Sequence, residues 1–241
     1  MDNFKREAEE NLRLLAENAY PGRGIVLGRR QDGKMVQIYW IMGRSENSRN
    51  RVFVREGNRV RTEPFDGSRM EDPRLVIYTA MNEVAGNYVV TNGDHTDLIC
   101  DVLGSGGDYR QALGQCNHEP DEPHYTPRIA GAFKLKSGVI TTWLGIIRSN
   151  LFDTAHSNRS YFEYSHIAPG FGWFISTYRG DGSPLPPFEG EPRLLPLLGD
   201  GDGLAEWVWN RLNESNRISL ALKVIDPENG ESETQIINKF A

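Results

Sequence analysis

Apolar positions recur along this chain with two different periods. Between residues 4 and 18, Phe4, Ala8, Leu12 and Leu15 share one face of a 3.6-residue repeat with Lys, Arg and Glu between them, which predicts an amphipathic helix. Tyr20-Pro21-Gly22 ends it. From residue 24 the pattern becomes that of strands. Residues 24–30 and 35–43 are short β-rich runs separated by Gln31-Asp32-Gly33-Lys34, whose Asp-Gly pair signals a hairpin. Residues 51–57 and 58–65 meet at Gly57-Asn58, and 74–84 and 87–93 meet at Gly86-Asn87. Both pairs alternate apolar with polar residues, as half-buried antiparallel strands do.

Asp94 stands where a helix N-cap would, ahead of Leu98, Ile99, Val102 and Leu103, and Gly104-Ser105-Gly106-Gly107 stops that helix. A second helix follows over 108–116, then a polar loop over 117–124. Strand patterning returns at 127–136, 139–148, 162–168 and 172–180, and Pro184, Pro186 and Pro187 mark a loop. A helix over 205–213 and a hairpin of 217–226 with 234–240 close the chain. Helices are therefore segregated from antiparallel strands, which predicts a layered α+β fold. A doubly wound sheet is excluded by the missing βαβ alternation and G-x-G-x-x-G turn.

With 241 residues, 38% hydrophobic and 25% charged, the chain carries enough apolar material for one sizeable core. It reads as a single domain, 1–241, with a helical extension over 1–19 and a core over 20–241. The net charge of -6 argues against duplex nucleic acid as a partner. Two cysteines, Cys100 and Cys116, do not make a disulfide framework. No signal core and no stretch of about 18 apolar residues is present, so the expectation is a cytoplasmic protein without a membrane partner.

Four segments concentrate chemistry. Residues 43–51, Gly-Arg-Ser-Glu-Asn-Ser-Arg-Asn-Arg, bring Arg44, Arg49 and Arg51 together; they suit a phosphate, to which guanidinium offers a planar fork of donors, and equally a solvated polar turn. Gly22-Arg23-Gly24 sets an arginine where backbone can approach a ligand, or forms a plain tight turn. In Asn92-Gly93-Asp94-His95-Thr96-Asp97, His95 is a candidate acid or base near neutral pH, while Asp94 and Asp97 have the spacing of a capping pair. Residues 118–128 gather His118, Glu119, Asp121, Glu122, His124 and Arg128 in a Pro-stiffened loop; their spacing fits neither zinc nor calcium, so general base chemistry by Glu119 is the better reading and no metal is expected.

In order, Tyr20-Pro21-Gly22-Arg23, Arg44-Ser45 with Asn50-Arg51, Val90 to Asp97, Tyr125 to Ala130, Leu144 to Arg148 and Ile175 to Tyr178 resemble the archaeal-type IMP cyclohydrolases. The resemblance implies a four-layer αββα sandwich of mostly antiparallel sheets, like that of the N-terminal-nucleophile hydrolases. It also implies a cofactor-free ring closure of 5-formamidoimidazole-4-carboxamide ribotide to IMP. Tyr78 matches a tyrosine the family uses near the reacting centre, and Glu119 a carboxylate ahead of its T-P-R motif; Arg23 joins them as a catalytic candidate. Glu122 could exchange with Glu119. Arg44 and Arg51 are assigned to the 5′-phosphate, Arg128 to the phosphate or the formyl oxygen, and Asn92, His95 and Thr96 to base or ribose. The partner implied is a small purine ribonucleotide; a homo-oligomer stays open. Residues 44–51 are longer than the R-S-F-P-N-R of shorter members. Two rivals are an amide hydrolase on the same fold, which the helix ahead of the first strand argues against, and a purine-nucleotide-binding protein without catalysis.

Overall fold

A computed structural model describes residues 2–69, 77–136, 138–199 and 201–240. Its first half runs α1 (Asp2–Glu17), β1 (Gly24–Arg29), β2 (Met35–Met42), α2 (Glu46–Arg49), β3 (Val52–Glu56), β4 (Arg59–Glu63), β5 (Thr79–Val84), β6 (Asn87–Thr91), α3 (His95–Gly104) and α4 (Tyr109–Gly114). The second half runs β7 (Arg128–Lys136), β8 (Val139–Ser149), β9 (Ser157–Tyr164), β10 (Phe171–Ser176), β11 (Arg193–Pro196), α5 (Leu204–Trp209), β12 (Arg217–Ile225) and β13 (Ser232–Asn238). Of the strand expected over 74–84, residues 74–76 lie outside the described residues, and the strand itself begins at Thr79. Two elements were not anticipated: α2, within the polar turn, and β11, a short edge strand beyond the proline loop. β9 begins at Ser157 rather than Phe162.

The strands form two antiparallel sheets, ordered β11-β10-β1-β2-β12-β13 and β3-β4-β5-β6-β7-β8-β9, so the fold is α+β as the patterning predicts. β2 is buried at every position, as befits a central strand covered on both faces. One of its faces meets the second sheet: the buried Gln37 donates from Nε2 to the carbonyl of Tyr88 on β6 at 2.8 Å. On the opposite face Trp40 stacks on Phe174 with ring centroids 5.4 Å apart.

The sheets share one core cluster that includes Ile25, Leu27, Tyr39, Val90, Ile129 and Phe133. A second cluster, with Val89, Ala130, Ala132 and Ile147 from the strands and Ile99, Leu103 and Leu113 from the helices, glues α3 and α4 to the second sheet. Gly145 permits that approach, since a Cβ there would lie 2.4 Å from Leu113 Cδ1. On the first sheet, α1 packs along β11 and α5 against β12 and β13.

Candidate active site

Antiparallel pairing of β1 with both β2 and β10 aligns Gly24 with Trp40 and with Ser176. The residues just outside these strand ends, Arg23, Arg44 and Tyr178, are thereby delivered to one end of the first sheet. Backbone bonds from Thr177 N–H to the Arg23 carbonyl (2.9 Å) and from Tyr178 N–H to the Pro21 carbonyl (3.1 Å) continue the ladder past the strands. Gly22 has φ 73°, and a Cβ there would sit 2.3 Å from Thr177 Oγ1, so this close approach requires glycine. The loop from α4 to β7 closes the other side, forming a cleft of about 310 Å³ lined by Arg23, Arg44, Asn47, Arg51, Glu119, Asp121, Thr126 and Tyr178 among others.

Three buried polar atoms of residues lining this cleft lack a partner among the described residues: Arg23 Nε, Arg51 Nη1 and Asn47 Oδ1. Unpaired buried polar groups are costly, and their convergence marks a place where a ligand supplies the missing bonds. Burial lowers the Arg51 pKa, with neighbouring Arg23 adding to the effect. Arg51 is steadied by one bond, from Nε to the Ser48 carbonyl at 3.1 Å. Burial pulls the Arg23 pKa downward too, but its anionic and phenolic neighbours, Glu119 first, outweigh that pull and hold it raised. Arg44 sits on the rim, ion-paired with Asp181, with its guanidinium 4.9 Å above the Tyr20 ring. Arg49 turns away to the Ser215 carbonyl (3.0 Å) and Asn216 Oδ1 (3.2 Å).

Glu119 is 6% exposed. Burial raises its carboxyl pKa, and Arg23 works in the opposite direction. Glu122 faces solvent. Tyr78, just before β5, contributes to the electrostatic surroundings of Arg23 and Arg51, and its hydroxyl lies 2.7 Å from that of the wholly buried Tyr39.

Asn92, His95 and Thr96 form a separate knot at the β6–α3 junction, with their polar atoms committed to the fold. Asn92 donates to the Pro127 carbonyl (3.0 Å) and accepts from Ile129 N–H (2.8 Å). Thr96 Oγ1 lies 2.6 Å from Thr91 Oγ1. His95 Nε2 is 3.2 Å from the Ile129 carbonyl, and its Nδ1 is 2.9 Å from an Arg128 nitrogen; an Arg can only donate, which assigns the proton to Nε2. Titration of His95 near neutral pH does not hold: burial first, then Arg128, lowers its pKa to about 3. The capping expectation for Asp94 and Asp97 is also corrected. Asp94 makes no side-chain cap; it is drawn instead to Arg128, while Asp97 is exposed. Arg128 stands between knot and cleft, close enough to act on the Glu119 carboxyl.

Sequence reasoning assigned no role to Asn47, Asp121, Thr126 or Tyr178. Thr126 and Tyr178 do lie within recognisable motifs, yet their contact joins residues 52 positions apart, which no local spacing reveals.

The family described as IMP cyclohydrolase-like protein matches residues 20–230. The chain belongs to that family. Similar curated relatives are the IMP cyclohydrolases of Methanopyrus kandleri, 33% identical over 66% of this chain and 75% of the relative, and of Methanococcus aeolicus, 30% identical over 66% and 74%. That of Methanosphaera stadtmanae is 29% identical over 66% and 73%. The match to the family begins at Tyr20, leaving α1 outside it, and takes in the whole cleft. α2 is the local structure adopted within the Arg44–Arg51 segment. Among the described residues no helix is long and apolar enough to cross a membrane.

Proposed function

We propose that this chain is an IMP cyclohydrolase, converting 5-formamidoimidazole-4-carboxamide ribotide into IMP and water. Family membership supports the reaction. The observation that carries the site is the meeting of Arg23, Arg51 and Glu119 in one cleft, with guanidinium N–H groups unpartnered. In this reading Arg51 and Arg44 hold the 5′-phosphate, and Arg23 faces the formyl oxygen. The carboxamide nitrogen attacks the formyl carbon. Glu119 takes one of that nitrogen's two hydrogens, the new C–N bond forms, and the formyl oxygen becomes a hydroxyl that leaves as water with the hydrogen of the formamido nitrogen. Nucleophile and electrophile already share a molecule, so the enzyme's task is alignment and charge stabilisation.

Tyr78 suits the acid role. The Tyr39 and Tyr78 hydroxyls lie 2.7 Å apart; in this reading the more deeply buried Tyr39 donates, leaving the Tyr78 hydrogen free for the developing hydroxyl. Arg128, held by Asp94 and His95, tunes Glu119 from behind, and Asn92, His95 and Thr96 keep that corner in place. The two sheets are read as the middle layers of an αββα sandwich, with α3 and α4 outside one and α1 and α5 outside the other, in a single catalytic domain of the N-terminal-nucleophile-hydrolase kind.

The test is to incubate purified protein with the formylated ribotide and follow IMP by ultraviolet absorbance. Glu119→Gln and Tyr78→Phe are expected to lower kcat at least about tenfold with little change in KM, while Arg44→Ala and Arg51→Ala raise KM roughly 10- to 100-fold. Equal effects on both parameters from all four would contradict these roles. Thermal stabilisation by IMP without any IMP formation would favour a nucleotide-binding protein that lacks the chemistry.

A further inference from the structure

A chain of three side chains borders the cleft and takes no part in the reaction as described above. The Asp121 carboxylate accepts from Thr126 twice, from its backbone N–H at 2.6 Å and from its hydroxyl. A carboxylate has no hydrogen to give, so the Thr126 hydroxyl hydrogen is spent on Asp121. Thr126 Oγ1 then meets the Tyr178 hydroxyl, 2.6 Å away, as an acceptor, and Tyr178 is the donor. Tyr178 is 2% exposed, its ring stacked on Tyr20 with centroids 6.0 Å apart, so it cannot swing to another partner. With its hydrogen given to Thr126, the phenol oxygen of this cleft-lining residue has only lone pairs left to offer.

This fixed polarity sets Tyr178 apart from the arginines beside it. Arg23, Arg44 and Arg51 bring N–H donors to the same cleft, and donors alone would suit any phosphorylated molecule. An acceptor locked among them calls for a ligand that carries a hydrogen-bond donor away from its phosphate. Building on the reading above, we propose that Tyr178 is a substrate-contacting residue whose phenol oxygen accepts a hydrogen bond from the nitrogen that becomes N1 of the purine, with Thr126 and Asp121 as positioning residues that set its polarity. The carboxamide nitrogen begins with two hydrogens. One leaves to Glu119, and the other survives as the N1–H of IMP. Tyr178 holds the hydrogen that stays and so turns the other toward the base. Because that N–H persists in the product, the same contact selects IMP over AMP, whose N1 carries a lone pair and would face the phenol oxygen acceptor to acceptor.

Equilibrium titration calorimetry with IMP and with AMP tests this independently of turnover. The wild type is expected to bind IMP roughly 10- to 100-fold more tightly than AMP, the discrimination ordinary for a buried donor–acceptor mismatch. Tyr178→Phe is expected to bring the two affinities within about threefold and to lower kcat for ring closure about tenfold or more. Thr126→Val frees the Tyr178 hydrogen to point into the cleft, so the IMP preference should collapse or reverse; Thr126→Ser, which keeps the relay, should restore it. Thermal melting curves identify any variant that fails to fold. For that case 1-methyl-IMP offered to the wild type gives the same reading, with binding at least about tenfold weaker than IMP expected. An unchanged IMP to AMP ratio in Tyr178→Phe, or a Thr126→Val protein with full discrimination, would overturn the inference. Failure of the wild type to form IMP would instead overturn the parent reading, with the calorimetric ratios still judging the polarity of Tyr178.

Discussion

The imidazole of His95, wedged between the Ile129 backbone and the Arg128 guanidinium, carries a pKa lowered from 6.5 to about 3 by burial and then by Arg128. In the unfolded chain the same ring protonates near its ordinary value. Between about 6.5 and about 3, then, the unfolded state binds a proton that the native state refuses, and stability falls with pH at up to about 1.4 kcal/mol per unit. The full contribution is present above the upper limit. His95→Gln, which keeps a donor for the Ile129 carbonyl, should flatten this dependence. Urea unfolding at about pH 7 and about pH 5 would show it as a smaller loss of midpoint in the variant; parallel losses would refute it.

At the scale of elements, α2 links an unanticipated piece of structure to binding. Four residues are too few for a helix to persist by propensity alone. Reciprocal caps hold it: Ser48 N–H donates to Ser45 Oγ at 3.2 Å and Ser45 N–H to Ser48 Oγ at 2.9 Å. The second anchor is Arg49, bonded to the turn ahead of β12. Through this anchor α2 presents Asn47 to the cleft and fixes the turn that brings in Arg51. Arg49 is itself outside the cleft lining, so Arg49→Ala should raise KM several-fold through loosened Arg51 and leave kcat within about twofold. Steady-state kinetics decides it, and a drop in kcat with KM unchanged would show that α2 has no such role.

At the scale of the whole molecule, the two sheets are joined by charge as well as by apolar packing. Lys223 on β12 has no exposed surface; its Nζ lies 2.5 Å from Glu83 Oε1 on β5 and 2.6 Å from the Asn58 carbonyl. Ser232 Oγ also donates to Glu83, at 2.6 Å. Burial lowers the Lys223 pKa, and Glu83 opposes that shift. Removing one member of such a pair strands the other, whereas removing both charges does not. Lys223→Met is expected to cost about 3 kcal/mol of unfolding free energy, and Lys223→Met with Glu83→Gln to recover most of it. Chemical denaturation of the two single variants and the double variant closes the cycle; additive losses would contradict the coupling.

Periodicity and turn residues by themselves determined the α+β class, nearly all the strands and four hairpins, β1 with β2, β3 with β4, β5 with β6 and β12 with β13, because these depend on neighbours along the chain. They also marked Arg23, Arg44, Arg51 and Glu119 as chemically suspect, by residue type and resemblance to a family. Elements stabilised from a distance escaped them. β11 exists because β10 offers it an edge, and Asp94 abandons its cap because Arg128, 34 positions further on, draws its carboxylate away. Only the tertiary structure decided that Arg49 faces outward while Arg51 faces in, that Asn92 and Thr96 serve the backbone, and that Asp121, Thr126 and Tyr178 form a directed chain at the cleft. The physical reason is the same throughout: a side chain's hydrogen-bond partner and its burial are set by which strand ends the register brings together, and that information is spread over residues far apart in the sequence.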